Sequence, residues 1–237
     1  MIFNTLLNEK LEKYNLILGS TSPRRQQILL QNFGVANFTI SASNFPEDLD
    51  KSQITPLEYV QLTSRKKAEA IYQAHSDTFQ SETLILTCDT IVTCNGKIFE
   101  KPMTQSKQAK FFEYFDTHKD IEVISAITVL KLNNGIVSEY QDHAVTKLSF
   151  KADNKDIIRA YIESGEGLEV AGGFKYQQLG CLLFDKISGD YYNVVGLPTN
   201  TYSLLLEAVG WEKQKCRVLL LLCIYATHFS KTHRDKK

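Results

Sequence analysis

Leu16-Ile17-Leu18 runs directly into Gly19-Ser20-Thr21-Ser22-Pro23-Arg24-Arg25, and this junction constrains the fold more than any other stretch of the chain. It reads as a short apolar strand, a small-residue turn and a helix start. Ser22 suits the N-cap, and Pro23 suits the first helical position, where a missing N–H costs nothing. Arg24 and Arg25 then fall in the first turn, whose partial positive charge and unpaired N–H donors disfavour cations. Two guanidiniums there become favourable when a phosphorylated ligand occupies the turn. The alternative is a pair of solvated arginines on a surface helix.

The rest of the chain mixes helical patterns with hairpins. Thr55-Pro56-Leu57-Glu58 is a capping box that opens a helix to about Ala74. Further helices are predicted over Thr104 to about Asp116, Asp153 to Ser164, and from Leu197-Pro198 to near Gly210. Leu84 to Thr87 reads as a short buried strand. Asn95-Gly96 joins Ile91–Cys94 to Lys97–Phe99, and Asn133-Asn134-Gly135 joins Ile121–Leu132 to Ile136–Phe150. A third hairpin is predicted between Cys181–Ile187 and Tyr191–Val195. The fold class is therefore α/β with a mixed β-sheet flanked by helices.

With 237 residues the chain suits one large α/β domain or two small ones. Lys+Arg and Asp+Glu both number 27, so a formal charge of zero argues against a nucleic-acid polymer or a membrane surface as partner, while leaving room for a local basic cleft. Five scattered cysteines without a CxxC pair suggest neither zinc nor a disulfide framework and fit a reducing compartment. Residues 1–14 carry Glu9, Lys10, Glu12 and Lys13 and are read as a short helix before the first strand rather than a signal peptide. The apolar run Val218–Ala226 falls short of the ~20 residues a membrane span needs.

Several residues have the chemistry of a site. Asp89 follows the apolar strand, where a carboxylate is costly unless its charge is used. It is a candidate general base or metal ligand, with a turn-initiating aspartate as the alternative. Lys101 is restricted to extended backbone by Pro102, which suits a phosphate contact; an edge-strand lysine is the alternative. Lys67 lies inside the Thr55 helix, where a solvated face is the ordinary reading. Gly165-Glu166-Gly167 and Ala171-Gly172-Gly173-Phe174 frame a loop read as flexible. It leads to Gln177 and Gln178, either of which offers an amide to a base edge, with polar surface as the alternative. No GxxxxGK[ST], GxSxG, HExxH or GxGxxG occurs. Cys88 reads as a buried strand cysteine.

Together, Gly19-Ser20-Thr21-Ser22-Pro23-Arg24-Arg25-Gln26, Cys88-Asp89-Thr90-Ile91-Val92, Glu100-Lys101-Pro102, Ala171-Gly172-Gly173-Phe174 and Gly189-Asp190-Tyr191-Tyr192-Asn193-Val194-Val195-Gly196-Leu197-Pro198 resemble the Maf family, in its order and at its spacings. The resemblance implies a curved mixed sheet flanked by helices, with two lobes and an active-site cleft. It implies a nucleoside triphosphate pyrophosphatase that is cytoplasmic, is often a homodimer and uses a divalent metal, Mg or Mn. By position, Asp89 matches the proton acceptor, and Ser20, Arg25, Lys67 and Lys101 match phosphate-holding positions. Arg24, Thr90 and Gln177 match three positions that separate subgroups, here in the combination of the dTTP/UTP-hydrolysing one. Glu47 matches a metal-associated glutamate, to act with Asp89. The implied division is an extension over 1–14, a pyrophosphatase domain over 15–210 and a tail over 211–237 without a family counterpart. That tail is either a genuine extension or a misplaced gene end.

The chain departs from the family pattern in places. Gly167, Glu169 and Val170 stand where the family usually has proline, aspartate and lysine, and Val170 removes a possible phosphate cation. Ile121, Ser125 and Ala126 replace histidine, threonine and glycine, and Lys175-Tyr176 replaces glycine-isoleucine. Two alternatives therefore stand beside the pyrimidine pyrophosphatase: a weakly active or non-catalytic nucleotide-binding protein on the same fold, and a purine-directed inosine-triphosphatase-like enzyme.

Overall fold

The computed structural model describes residues 5–46, 49–75, 79, 82–151 and 155–211. Its centre is β3 (Thr83–Cys94), a single long strand where two shorter ones were expected. β5 (Asp120–Asn133) pairs antiparallel with β3 along its whole length, from Thr83 opposite Leu132 to Cys94 opposite Ile121. The other edge of β3 changes partner. β1 (Asn15–Leu18) runs parallel to residues 83–86, and β4 (Lys97–Phe99) pairs antiparallel with residues 92–94. With β2 (Thr39–Ile40), β6 (Ile136–Phe150) and β7 (Phe184–Ser188), this makes a seven-stranded mixed sheet in the order β2-β1-β3-β5-β6-β7, with β4 beside β3.

The elements form where local chemistry calls for them. α1 (Thr5–Leu11) buries Leu7 and Leu11 against the core, as expected of a helix before β1. α2 (Pro23–Gln27) continues into a π-helical turn over Ile28–Asn32. α3 (Pro56–His75) opens on the predicted capping box. The Thr55 N–H donates to Glu58 Oε2 at 2.7 Å, and the Glu58 N–H donates to Thr55 Oγ1 at 3.2 Å. α4 (Gln105–His118) is capped by Thr104, which accepts from the Lys107 N–H. α5 (Lys155–Glu163) and α7 (Asn200–Ala208) match the remaining helix readings, the start of the former lying outside the described residues.

The third hairpin is not there. Leu179–Leu183 forms 3-10 turns and Tyr191–Val195 is the helix α6. The β-branched and aromatic residues of that segment favour a strand in isolation. Asp190 overrides them: its carboxylate accepts the Tyr192 N–H at 2.8 Å and so starts a helix. Asn193, fully buried, then donates to the Val123 carbonyl at 2.9 Å and to Thr146 Oγ1 at 3.0 Å, pinning α6 to the sheet.

The core has two main parts. One joins α1, β1, the first half of β3 and α7 through residues such as Leu18, Leu86 and Leu205. The other is aromatic, with Phe99, Phe112, Phe115, Phe150 and Tyr161 at its centre. No helix among the described residues is long and apolar enough to cross a membrane.

Candidate active site

The break in pairing along β3 creates the site. β1 ends at Leu18 and the chain peels away at Gly19, whose N–H still donates to the Leu86 carbonyl at 2.7 Å. A Cβ at Gly19 would stand 2.5 Å from Thr87 Cγ2 and 2.6 Å from Ile71 Cδ1, so any larger residue would force both side chains to shift. Between the partners β1 and β4, residues 87–91 of β3 have one free edge, and a cleft of about 530 Å³ opens there. A crevice beyond the carboxyl end of a parallel strand is where α/β sheets hold ligands. Asp89 was expected at a strand end. It lies inside β3, and the strand that ends beside it is β1.

Alternation along β3 gives Asp89 and Thr90 different neighbours. Asp89 meets α3, where Lys67 Nζ lies 2.6 Å from Asp89 Oδ1, with side chains only 8% and 9% exposed. Lys67 is therefore a buried ion-pair partner, not solvated face. Its position follows from Ser64, Ala68 and Ile71, which with it form the buried stripe of α3 at helical spacing. Thr90 points to the other side, where its Oγ1 lies 2.9 Å from Ser125 Oγ, directly opposite on β5, and accepts from Arg25 Nη2 at 3.2 Å.

The two arginines have partners inside the chain. Arg25 Nε donates to the Gly196 carbonyl at 2.8 Å, Arg25 Nη1 to Ser20 Oγ at 3.2 Å, and Arg24 Nε to the Val195 carbonyl at 3.2 Å. Val195 and Gly196 end α6, where carbonyls lack helical partners and attract cations. Those carbonyls offset the cost of two guanidiniums in the first turn of α2 without any ligand. Ser22 occupies the N-cap, yet its side chain does not cap; its N–H donates to Ser20 Oγ instead. Burial first, and the charge of Arg25 second, lower the Arg24 pKa from its ordinary value; a guanidinium so displaced is still cationic at neutral pH.

Hydrogen bonds anchor the loop from Gly165 to Gly180, read as flexible from its glycines, to neighbouring elements. The Met103 N–H donates to the Leu168 carbonyl at 2.9 Å, and the Gly172 N–H to the Glu100 carbonyl at 3.3 Å. Gln108, buried on α4, donates to the carbonyls of Glu166 and Gly173 at 2.6 and 2.7 Å. At Gly167, with φ +86°, a Cβ would lie 2.2 Å from the Gly173 carbonyl oxygen, so the tight turn accounts for glycine where a proline was expected.

Ser20, Arg24, Arg25, Lys67, Asp89, Thr90, Lys101 and Gln177 all line this one cleft. Gln178 is exposed and does not line it. Glu47 lies outside the described residues, as does the tail from residue 212 onward. Two further residues at the cleft, Ser125 and Lys175, stand out in the sequence only as departures from the family pattern. Only the strand register, which sets Ser125 opposite Thr90, marks the former as a site residue. Val170 lines the cleft as an apolar side chain. Cys88 is fully buried and burial raises its thiol pKa, as befits an inert core cysteine.

Among the described residues no three His, Cys, Asp or Glu side chains come together as a metal cage. Asp89 offers one buried carboxylate at the cleft, with the exposed Glu169 also lining it. That set suits a hard cation such as Mg²⁺, which takes one or two protein carboxylates and completes its shell with phosphate oxygens and water.

Fold and cleft define a mixed α/β protein with a strongly cationic crevice at the end of a parallel strand. The chain belongs to the family described as Maf-like protein, whose model matches residues 15–209. A dTTP/UTP pyrophosphatase of Saccharomyces cerevisiae is 42% identical over 207 residues, covering 79% of this chain and 87% of that protein. One of Schizosaccharomyces pombe is 35% identical over 214 residues, covering 86% and 88%. A solved structure, "Structure of a HAM1 protein from Coxiella burnetii", aligns with 59% of this chain and 74% of its own at 12% identity and a TM-score of 0.38.

Proposed function

We propose that the protein hydrolyses the α–β phosphoanhydride of nucleoside triphosphates, dTTP and UTP foremost, giving a nucleoside monophosphate and pyrophosphate. The observation that carries this reading is the buried Lys67–Asp89 pair on a cleft that also gathers Ser20, Arg24 and Arg25. The names of the related proteins support it. A phosphoanhydride is cleaved by placing water in line with the α-phosphorus and neutralising charge on the phosphate oxygens. Asp89 orients that water and accepts its proton as the oxygen bonds to phosphorus and the bridging oxygen leaves with pyrophosphate. Arg25, Lys67 and Lys101 neutralise the phosphates. Arg24, Thr90 and Gln177 face the nucleoside. Asp89 would hold a Mg or Mn ion together with the triphosphate, with Glu47 as a second donor; such an ion supplies charge neutralisation.

One catalytic domain over 15–210, cytoplasmic residence and a homodimer belong to the same proposal. The test is pyrophosphate release from a panel of pyrimidine and purine triphosphates with Mg²⁺ or Mn²⁺, with Asp89→Asn as control. Preferential release from dTTP and UTP, lost in the variant, is the expected result. No release above the Asp89→Asn background would leave a nucleotide-binding protein instead, and a purine preference would move the chain to the inosine-triphosphatase-like alternative.

A further inference from the structure

Lys175 stands in the cleft with Arg24, Arg25, Lys67 and Lys101. Three of these cations are committed within the chain: both arginines to carbonyls and hydroxyls, and Lys67 to Asp89. Lys101 and Lys175 have no side-chain hydrogen bond or ion pair among the described residues, and the exposed Glu169 on the same cleft does not pair with either. An ammonium without a counter-charge beside other cations is a poor arrangement until an anion arrives.

The backbone of Lys175 is held on both sides. Its N–H donates to Tyr161 Oη at 3.0 Å, and Tyr161 is itself buried against Phe112. Its carbonyl accepts the Gln178 N–H at 3.1 Å and packs so closely on Gly180 that a Cβ there would lie 2.6 Å from the carbonyl oxygen. Tyr176 packs on Phe184 and Tyr191, with ring centroids 5.7 and 6.0 Å apart, while Lys175 and Gln177 on either side of it both line the cleft. A lysine with a pinned backbone, on a cleft lined by other cations and with no side-chain partner among the described residues, is a built position and not a stray surface lysine.

We propose that Lys175 is a further substrate-binding residue, whose ammonium pairs with the phosphate oxygens of the bound triphosphate. The assignment rests on the pyrophosphatase reading for the identity of the anion. It is tested on the full chain with inorganic tripolyphosphate, by calorimetry, and with dTTP turnover. Lys175→Met is expected to weaken tripolyphosphate binding about tenfold and to raise KM for dTTP by a similar factor with kcat nearly unchanged, while Lys175→Arg stays within about twofold of the parent. Unchanged tripolyphosphate binding by a Lys175→Met protein of parental Tm overturns the proposal. A raised KM for dTTP with unchanged tripolyphosphate binding also overturns it, because the lysine then faces the nucleoside. If no triphosphate is hydrolysed yet tripolyphosphate binding still falls in Lys175→Met, the pyrophosphatase reading fails and the anion contact stands.

Discussion

Lys67 on α3 and Asp89 on β3 form a 2.6 Å ion pair in which both side chains are more than nine-tenths buried. Burying two charges costs several kcal/mol each in lost hydration, and an apolar pair of similar volume would hold a helix to a sheet as well or better. The pair is thus a poor choice for stability alone, in keeping with a carboxylate kept for chemistry at the open edge of β3.

Removing one partner separates the two roles. Lys67→Met strands the carboxylate and is expected to cost about 3–5 kcal/mol, and the double variant Lys67→Met/Asp89→Leu to recover much of that. Asp89→Asn keeps a polar partner for Lys67 and is expected to lower kcat about 10²–10⁴-fold, the usual contribution of a general base. Urea unfolding and pyrophosphate release on the same proteins read the two effects. Full turnover by folded Asp89→Asn would remove Asp89 from the chemistry.

Ser125 supports the other face. Its hydroxyl meets Thr90, which accepts from Arg25, which donates in turn to Ser20. Ser125→Ala takes one partner from Thr90 and is expected to cost about 1 kcal/mol of stability and to raise KM for dTTP more than it lowers kcat. A fall in kcat alone, with KM fixed, would contradict a positioning role.

Gln177 is the residue proposed to tell one base from another. An amide both donates and accepts, whereas an ionised carboxylate only accepts. Gln177→Glu is therefore expected to lower kcat/KM for dTTP about tenfold or more relative to ATP, because a carbonyl on the thymine base loses its donor while adenine carries none. An unaltered preference profile would place base selection elsewhere in the cleft.

Much of this layout is legible in the sequence, for local reasons. The Thr55–Glu58 capping box and the Asn95-Gly96 turn carry their own geometry, and both elements lie where the pattern put them. What sequence could not show is pairing at a distance. Nothing near Lys67 announces Asp89, and nothing near Arg24 and Arg25 announces the carbonyls of Val195 and Gly196 that meet them. Propensity also misled where one side chain outweighed it, as when Asp190 turned Tyr191–Val195 into a helix. The open edge of β3 is a property of sheet order, which no short motif encodes.

Tyr161 links stability to pH. Burial pushes its phenol well above the ordinary tyrosine value, with the hydrogen bond from the Lys175 N–H opposing and Glu166 adding to the rise. A group whose folded pKa is raised gives its full stabilisation below the unfolded pKa and loses it as pH climbs toward the folded value. The unfolded phenol titrates near 10, so this contribution is intact at neutral pH and declines above about pH 10. Tyr161→Phe removes the titration and the bond to Lys175. At about pH 7 it is expected to be roughly 1 kcal/mol less stable than the parent, and the gap should narrow by about pH 11. Denaturant unfolding at the two pH values decides, and a gap that stays constant or widens would mean that the buried phenol does not govern the alkaline loss.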